Sequence, residues 1–149
     1  PIRPDGAAAV RRYGGDLYVT LVNALRAERV TLRPGPLCDA HGQYEGADCP
    51  LCYGACFLCD KGAILEAVTD AIAIRPGASV SIRAYRGPVA IVRVVIDGAQ
   101  AVRFAPQELI ADAVAEAFLV LVGQVDAAKA LCVEREKYMA EHCTEVARG

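Results

Sequence analysis

Apolar residues recur with a helical period over residues 17–30, LYVTLVNALRAERV, where Leu17, Leu21, Val22 and Leu25 share one face. Asp16 is suited to capping this helix, and Arg33-Pro34-Gly35-Pro36 closes the segment beyond it. A second amphipathic stretch, AILEAVTDAI, turns Ile64, Leu65, Val68 and Ile72 to one side. After the breaker Arg75-Pro76-Gly77 the period changes to two: Val80, Ile82 and Ala84 alternate with Ser79, Ser81, Arg83 and Tyr85, the pattern of a half-buried strand. Arg86-Gly87-Pro88 makes a turn into the β-branched run VAIVRVVI, and Asp97-Gly98 is a hairpin signal leading to a short third strand, AVRF.

From Pro106 the pattern is helical again, with Glu108 in the first turn where the helix dipole favours an acid. Gly123 either divides QELIADAVAEAFLVLV from QVDAAKALCVEREKYMAEHCTEVA or is tolerated inside one helix at about 1 kcal/mol. These elements predict one domain over residues 1–149 of α+β class: a three-stranded antiparallel meander packed with helices, a cysteine-rich loop at 38–59 inserted between the first two helices, and a long C-terminal helix or helix pair over 106–147.

The segment AVAEAFLVLV is apolar around nearly its whole circumference, so it is either central to the core or a subunit contact. Beyond it, Leu121, Val125, Ala128, Cys132, Met139 and Cys143 line one side, a stripe suited to pairing with another chain. Self-association or a protein partner is therefore expected.

Composition supports a folded chain: 54% of the 149 residues are hydrophobic and 23% charged, and the mean hydropathy is +0.28. The longest strongly apolar stretch is interrupted by Glu116 and stops at Gly123, short of the roughly 20 residues a membrane span needs. The N-terminal PIRPDGAAAVRRYGG lacks the apolar core of a secretory signal, so the expectation is a cytoplasmic protein without a membrane partner. Lysine is scarce beside arginine and Asn23 is the only asparagine, a bias that suits a high-GC genome and a thermophile. Charge alternates along the chain, basic to residue 37, acidic to 74, basic to 105 and acidic thereafter. Such alternation suits segments that attract one another or faces that serve separate partners; charges that merely solvate the surface are the plainer reading.

The candidate chemistry lies in LCDAHGQYEGADCPLCYGACFLC, which holds five of the seven cysteines. Cys38 and His41 form a C-x2-H pair, and Cys49 and Cys52 form C-P-x-C. Spacings of two residues let both members of a pair reach one tetrahedral ion at about 2.0–2.3 Å, and Gly42, Gly46 and Pro50 supply tight turns. The stretch resembles the paired knuckles of zinc-ribbon and treble-clef modules, with Tyr44 as the aromatic between the pairs. The resemblance covers residues 38–52 only and implies a zinc site held by Cys38, His41, Cys49 and Cys52, with no implication for catalysis.

Two other groupings stay open. Cys49, Cys52, Cys56 and Cys59 read C-x2-C-x3-C-x2-C, dense enough to hold a 4Fe-4S cluster in an electron-transfer or enzyme-accessory subunit. Within it, Cys52, Cys56 and Cys59 are similar to the cluster-binding triplet of radical-SAM enzymes, although the strand–helix alternation and glycine-rich element of that family do not follow. Alternatively, some thiols form disulfides. Cys132 and Cys143 lie about 16 Å apart along a continuous helix and cannot bridge each other, which leaves Cys56 and Cys59 as partners; as small buried hydrophobes neither needs one.

No catalytic constellation emerges. Gly14-Gly15 lacks the rest of a phosphate loop, Ser79 and Ser81 lack a nucleophile elbow, and His142 reads as a surface residue. Asp112 and Glu116, one helical turn apart, read as solvent-facing charges. Arg83, Arg93 and Arg103 fall one on each strand; with the right register they form a basic row near Tyr85 that binds anions or a nucleic-acid backbone. Against nucleic acid stand a pI of about 5.7 and few aromatic residues. The leading expectation is a non-catalytic binding, assembly or accessory protein with a structural zinc, with the iron–sulfur subunit and the zinc-containing nucleic-acid-binding regulator as alternatives.

Overall fold

The computed structural model describes residues 15–31, 43–44, 47–48 and 61–142. Four helices and two antiparallel sheets follow in chain order: α1 (Gly15–Ala27), β1 (Gln43–Tyr44), β2 (Ala47–Asp48), α2 (Lys61–Ala73), β3 (Ser79–Arg86), β4 (Val89–Ile96), β5 (Ala99–Pro106), α3 (Ile110–Leu121) and α4 (Val125–His142). A single 3-10 turn, Gln107–Leu109, joins β5 to α3. The class is α+β, with the larger sheet a β3-β4-β5 meander.

The helical periods bury the faces they predict. Leu21, Val22 and Leu25 of α1 and Ile64, Val68 and Ile72 of α2 all lie in the core. Helix α1 stops at Ala27, three residues before the end of its apolar pattern, because Arg29 takes a left-handed conformation with φ 59°. The Val30 N–H then donates to the Leu25 carbonyl at 3.0 Å and the Arg29 N–H to that of Arg26 at 3.0 Å. This is a Schellman closure, and it turns Val30 back into the core.

The same device settles the C-terminal region as a helix pair. Gly123, with φ 90°, ends α3 as the Gln124 N–H donates to the Leu119 carbonyl at 2.8 Å and the Gly123 N–H to that of Val120 at 3.3 Å. One position thus carries the residue that tolerates left-handed backbone and the other does not. Open space surrounds a Cβ built on Gly123, so Gly123→Ala is expected to lose about 1 kcal/mol through backbone conformation alone, and Arg29→Gly to gain a comparable amount. Urea midpoints of the two variants measure both; equal signs would refute the account.

Helix α3 is the centre of the molecule, packing against α2, α4, β4 and β5. Every residue from Ala111 to Leu119 is buried, so the all-round apolar segment is satisfied within the chain. The sheet meets it through Val92, Val94, Ile96, Ala101 and Ala105. At the Asp97-Gly98 hairpin both residues have positive φ, 52° and 82°, as a type I′ turn requires. Glu28 gathers three helix ends: its carboxylate accepts from Gln124 Nε2 at 2.8 Å and lies 4.0 Å from Arg75 Nη2.

Helix coverage ends before the sheet does. Val80, Ile82 and Ala84 of β3 sit opposite Val94, Val92 and Ala90, and so belong to the helix-covered face. Yet only Val80 is half-buried, and Ile82 remains 44% exposed. Along α4 the buried stripe is Ala127, Ala128, Leu131, Arg135 and Met139. The stripe expected through Val125 is displaced by part of a turn, and Val125 itself is 57% exposed.

Candidate functional site

The proposed ligands Cys38, His41, Cys49 and Cys52, the alternative cluster ligands Cys56 and Cys59, and Cys143 lie outside the described residues. What is described of the cysteine-rich loop is the short hairpin between the two pairs, with Gln43 opposite Asp48 and Tyr44 opposite Ala47. Among the described residues no group of three or more His, Cys, Asp or Glu side chains is placed to hold a metal. An open cleft between the end of α1 and α2 is lined by Arg29, Glu66, Asp70 and Ile74 among others; both of its acids are solvent-exposed.

The densest polar chemistry is inside the protein. Glu116 of α3 is fully buried, and Asp112, one turn earlier, is 1% exposed, which corrects the expectation that both face solvent. A helix packed on all sides has no wet face to offer them. Glu116 is held by two arginines from different elements. Arg103 of β5 donates through Nε to Glu116 Oε2. Arg135 of α4 donates Nε to Oε1 at 3.0 Å and Nη2 to Oε2 at 3.5 Å, the two-pronged geometry that suits guanidinium and carboxylate.

Both arginines also donate to β5 backbone. Arg103 Nη1 donates to the Val102 carbonyl at 2.8 Å, and Arg135 Nη1 to that of Phe104 at 3.1 Å. Cys132 joins the edge of the cluster as a free thiol. Its Sγ lies 3.6 Å from Arg135 Nη2 and 3.5 Å from Glu136 Oε1. Burial, followed by the nearby Arg135 charge, lowers the Arg103 pKa, while Cys132 and Glu136 oppose the shift. An arginine has so much margin that it stays a cation throughout the physiological range. Among the described residues no buried side-chain nitrogen or oxygen lacks a hydrogen-bond partner, so the cluster is closed as it stands. It locks α3, α4 and β5 together.

The register separates the three strand arginines. Arg103 sits opposite Val92, on the helix-covered face, whereas Arg93 sits opposite Val102 and Ser81. Arg83 sits opposite Ile91, two residues from Arg93 on the same strand face. The three therefore form no single row: alternation sends Arg103 inward to Glu116 and leaves Arg83 and Arg93 as diagonal neighbours on the outer face. Beside them Tyr85 contacts Phe104 at a centroid distance of 4.9 Å, tilted by 57°, and the Arg86 guanidinium lies 5.7 Å over the Tyr85 ring. His142 is exposed at the end of α4, stacked 4.1 Å from the Tyr138 ring.

Comparison of the chain with protein-family models, with curated proteins and with solved structures yields no match. The fold of the described residues is α+β, with helices on one face of the sheet, an ion cluster locked into its core, and an outer sheet face on which Met139 covers Val89 and Phe104 at one corner while Arg83, Arg93 and Tyr85 stay exposed. Among the described residues no helix is long and apolar enough to cross a membrane.

Proposed function

We propose that the protein is a non-catalytic binding or assembly protein whose cysteine-rich loop is ordered by a structural zinc on Cys38, His41, Cys49 and Cys52. The observation that carries the metal reading is the β1–β2 hairpin. With Gln43 paired to Asp48, the chain enters and leaves the hairpin at the same end. The pair Cys38/His41 precedes that end and the pair Cys49/Cys52 follows it. Two two-residue-spaced pairs flanking one hairpin end are what a single tetrahedral ion needs, whereas a cluster on Cys49, Cys52, Cys56 and Cys59 leaves the hairpin and His41 without a role.

The assembly half of the reading rests on the sheet. Helix α3 spends its apolar surface inside the chain, and the reading places partner contact on the outer side of the sheet and on β3, where Ile82 and Tyr85 are exposed. A second reading, nucleic-acid binding, draws on Arg83, Arg93 and Arg86 beside Tyr85 on that same surface. Metal analysis tests the centre: the purified full chain is expected to be colourless, with one zinc per molecule. Iron, labile sulfide and absorption near about 400 nm would replace it with the cluster. A steep fall of single-stranded nucleic-acid binding with salt would favour the second reading.

A further inference from the structure

We infer that the free edge of β3 is a self-pairing surface: two copies of the chain join β3 to β3 antiparallel, about a two-fold axis at Ile82, into one continuous six-stranded sheet. The inference deepens the assembly reading above and rests on it for the expectation of a partner, but not on the zinc centre.

In an antiparallel ladder each residue turns both its N–H and C=O to the same side, alternating along the strand. At the Asp97-Gly98 two-residue turn, Ile96 and Ala99 are the closing pair, so Val94/Ala101, Val92/Arg103 and Ala90/Ala105 are the bonded pairs between β4 and β5. The Val102 and Phe104 carbonyls must then point away from β4, and there they accept from Arg103 and Arg135. On β4 it follows that Ile91, Arg93 and Val95 bond to β3, through their partners Arg83, Ser81 and Ser79. Val80, Ile82 and Ala84 are left with N–H and C=O turned outward. Among the described residues none of these three has a further partner.

The two edges of the sheet are thus treated differently. At β5, arginine side chains cap the outward Val102 and Phe104 carbonyls. At β3, eight residues long with no proline, the outward groups are bare. The side chains of those same residues, Val80, Ile82 and Ala84, extend the helix-covered face past its helices, leaving Ile82 44% exposed. A surface of ladder donors and acceptors backed by aliphatic side chains is completed by another strand.

Register selects a second copy as that strand. Bonded pairs require outward residue against outward residue, and pairing about Ile82 gives Ile82 with Ile82 and Val80 with Ala84 on both sides of the axis. Ser81 then faces Arg83 of the other copy and Ser79 faces Tyr85. No arginine meets an arginine directly, whereas centring on Arg83 would oppose the two guanidinium groups. The bulge at Ala84/Arg86 ends the matched stretch. The contact is small beside a standard interface, so the dimer is expected to dissociate on dilution.

The test is sedimentation equilibrium and amide hydrogen exchange on the full chain, from about 1 μM to about 1 mM. The expected result is a monomer–dimer equilibrium in which the amides of Val80, Ile82 and Ala84 gain protection with concentration. Those of Ser79, Ser81 and Arg83 are protected throughout. Ile82→Lys, at an exposed position, should raise the dissociation constant at least about tenfold by placing two ammonium groups at the axis, while Val133→Lys on the exposed side of α4 leaves it unchanged. A dimer without protection at the three amides, or one weakened by Val133→Lys instead, overturns the β3 edge and keeps the assembly reading. A monomer at every concentration overturns the self-pairing, as does protection that is independent of concentration; if such a monomer also captures no protein partner, the assembly reading falls with it.

Discussion

Glu116→Ala is expected to destabilise the protein by about 3–5 kcal/mol, because it removes the carboxylate that bridges two guanidinium groups and leaves the buried Arg135 charge without its paired anion. Arg135 is only 8% exposed, and the Arg103 side chain retains 25% of its accessibility, so Arg135 has less access to replacement water. Glu116→Gln keeps the shape and one acceptor but loses the charge, and should fall between the wild type and the alanine variant. Replacing the whole cluster, with Arg103→Met, Glu116→Leu and Arg135→Met together, should recover most of the loss, since all three desolvation costs vanish with the charges. Urea denaturation of the series measures this. A loss below about 1 kcal/mol for Glu116→Ala would mean that water reaches the site, and a triple variant as unstable as the single one would mean that the arginines matter for packing or for their β5 carbonyl contacts.

Phe118→Ala is expected to cost a similar amount, about 3–5 kcal/mol, for a different reason: it opens a cavity in the middle of α3. Phe118 is fully buried, and the Arg75 guanidinium lies 5.4 Å from its ring centroid, so the variant also removes a cation–π contact from the α2 side. Phe118→Leu, which fills much of the volume, should lose less. The loss should be independent of protein concentration. A subunit contact at α3 would make it concentration-dependent, so the same measurement distinguishes a core helix from an interface.

Periodicity alone made most of this fold legible. The change from a 3.6-residue to a two-residue period at Arg75-Pro76-Gly77 placed the meander, and Asp97-Gly98 placed its tight turn because few other dipeptides accept two positive φ angles. The early end of α1 was not legible, since arginine carries no signal for left-handed backbone. The buried acids were misread for a related reason. Asp112 and Glu116 are spaced like surface charges, but AVAEAFLVLV has no polar face for them to share, and an acid on such a helix needs a cationic partner indoors. Arg103 and Arg135 were visible in the sequence, yet only the register shows that Arg103 turns inward while Arg93 turns out. The hairpin inside the cysteine-rich loop gave no advance sign, because two-residue strands are too short to show a period.

The arginines that hold Glu116 also bear on how far the proposed association would run. A sheet open at both edges adds subunits head to tail without limit, the geometry of a fibre. Here Arg103 and Arg135 occupy the Val102 and Phe104 carbonyls of β5, so a pair joined through two β3 edges would present remaining ends at which those carbonyls are already taken. Growth of the proposed pair would then stop at two chains. A charge cluster in the core of one molecule would thus limit the proposed assembly, and loosening it, as Glu116→Ala would, is expected to free the β5 carbonyls and let the pair grow into a longer chain.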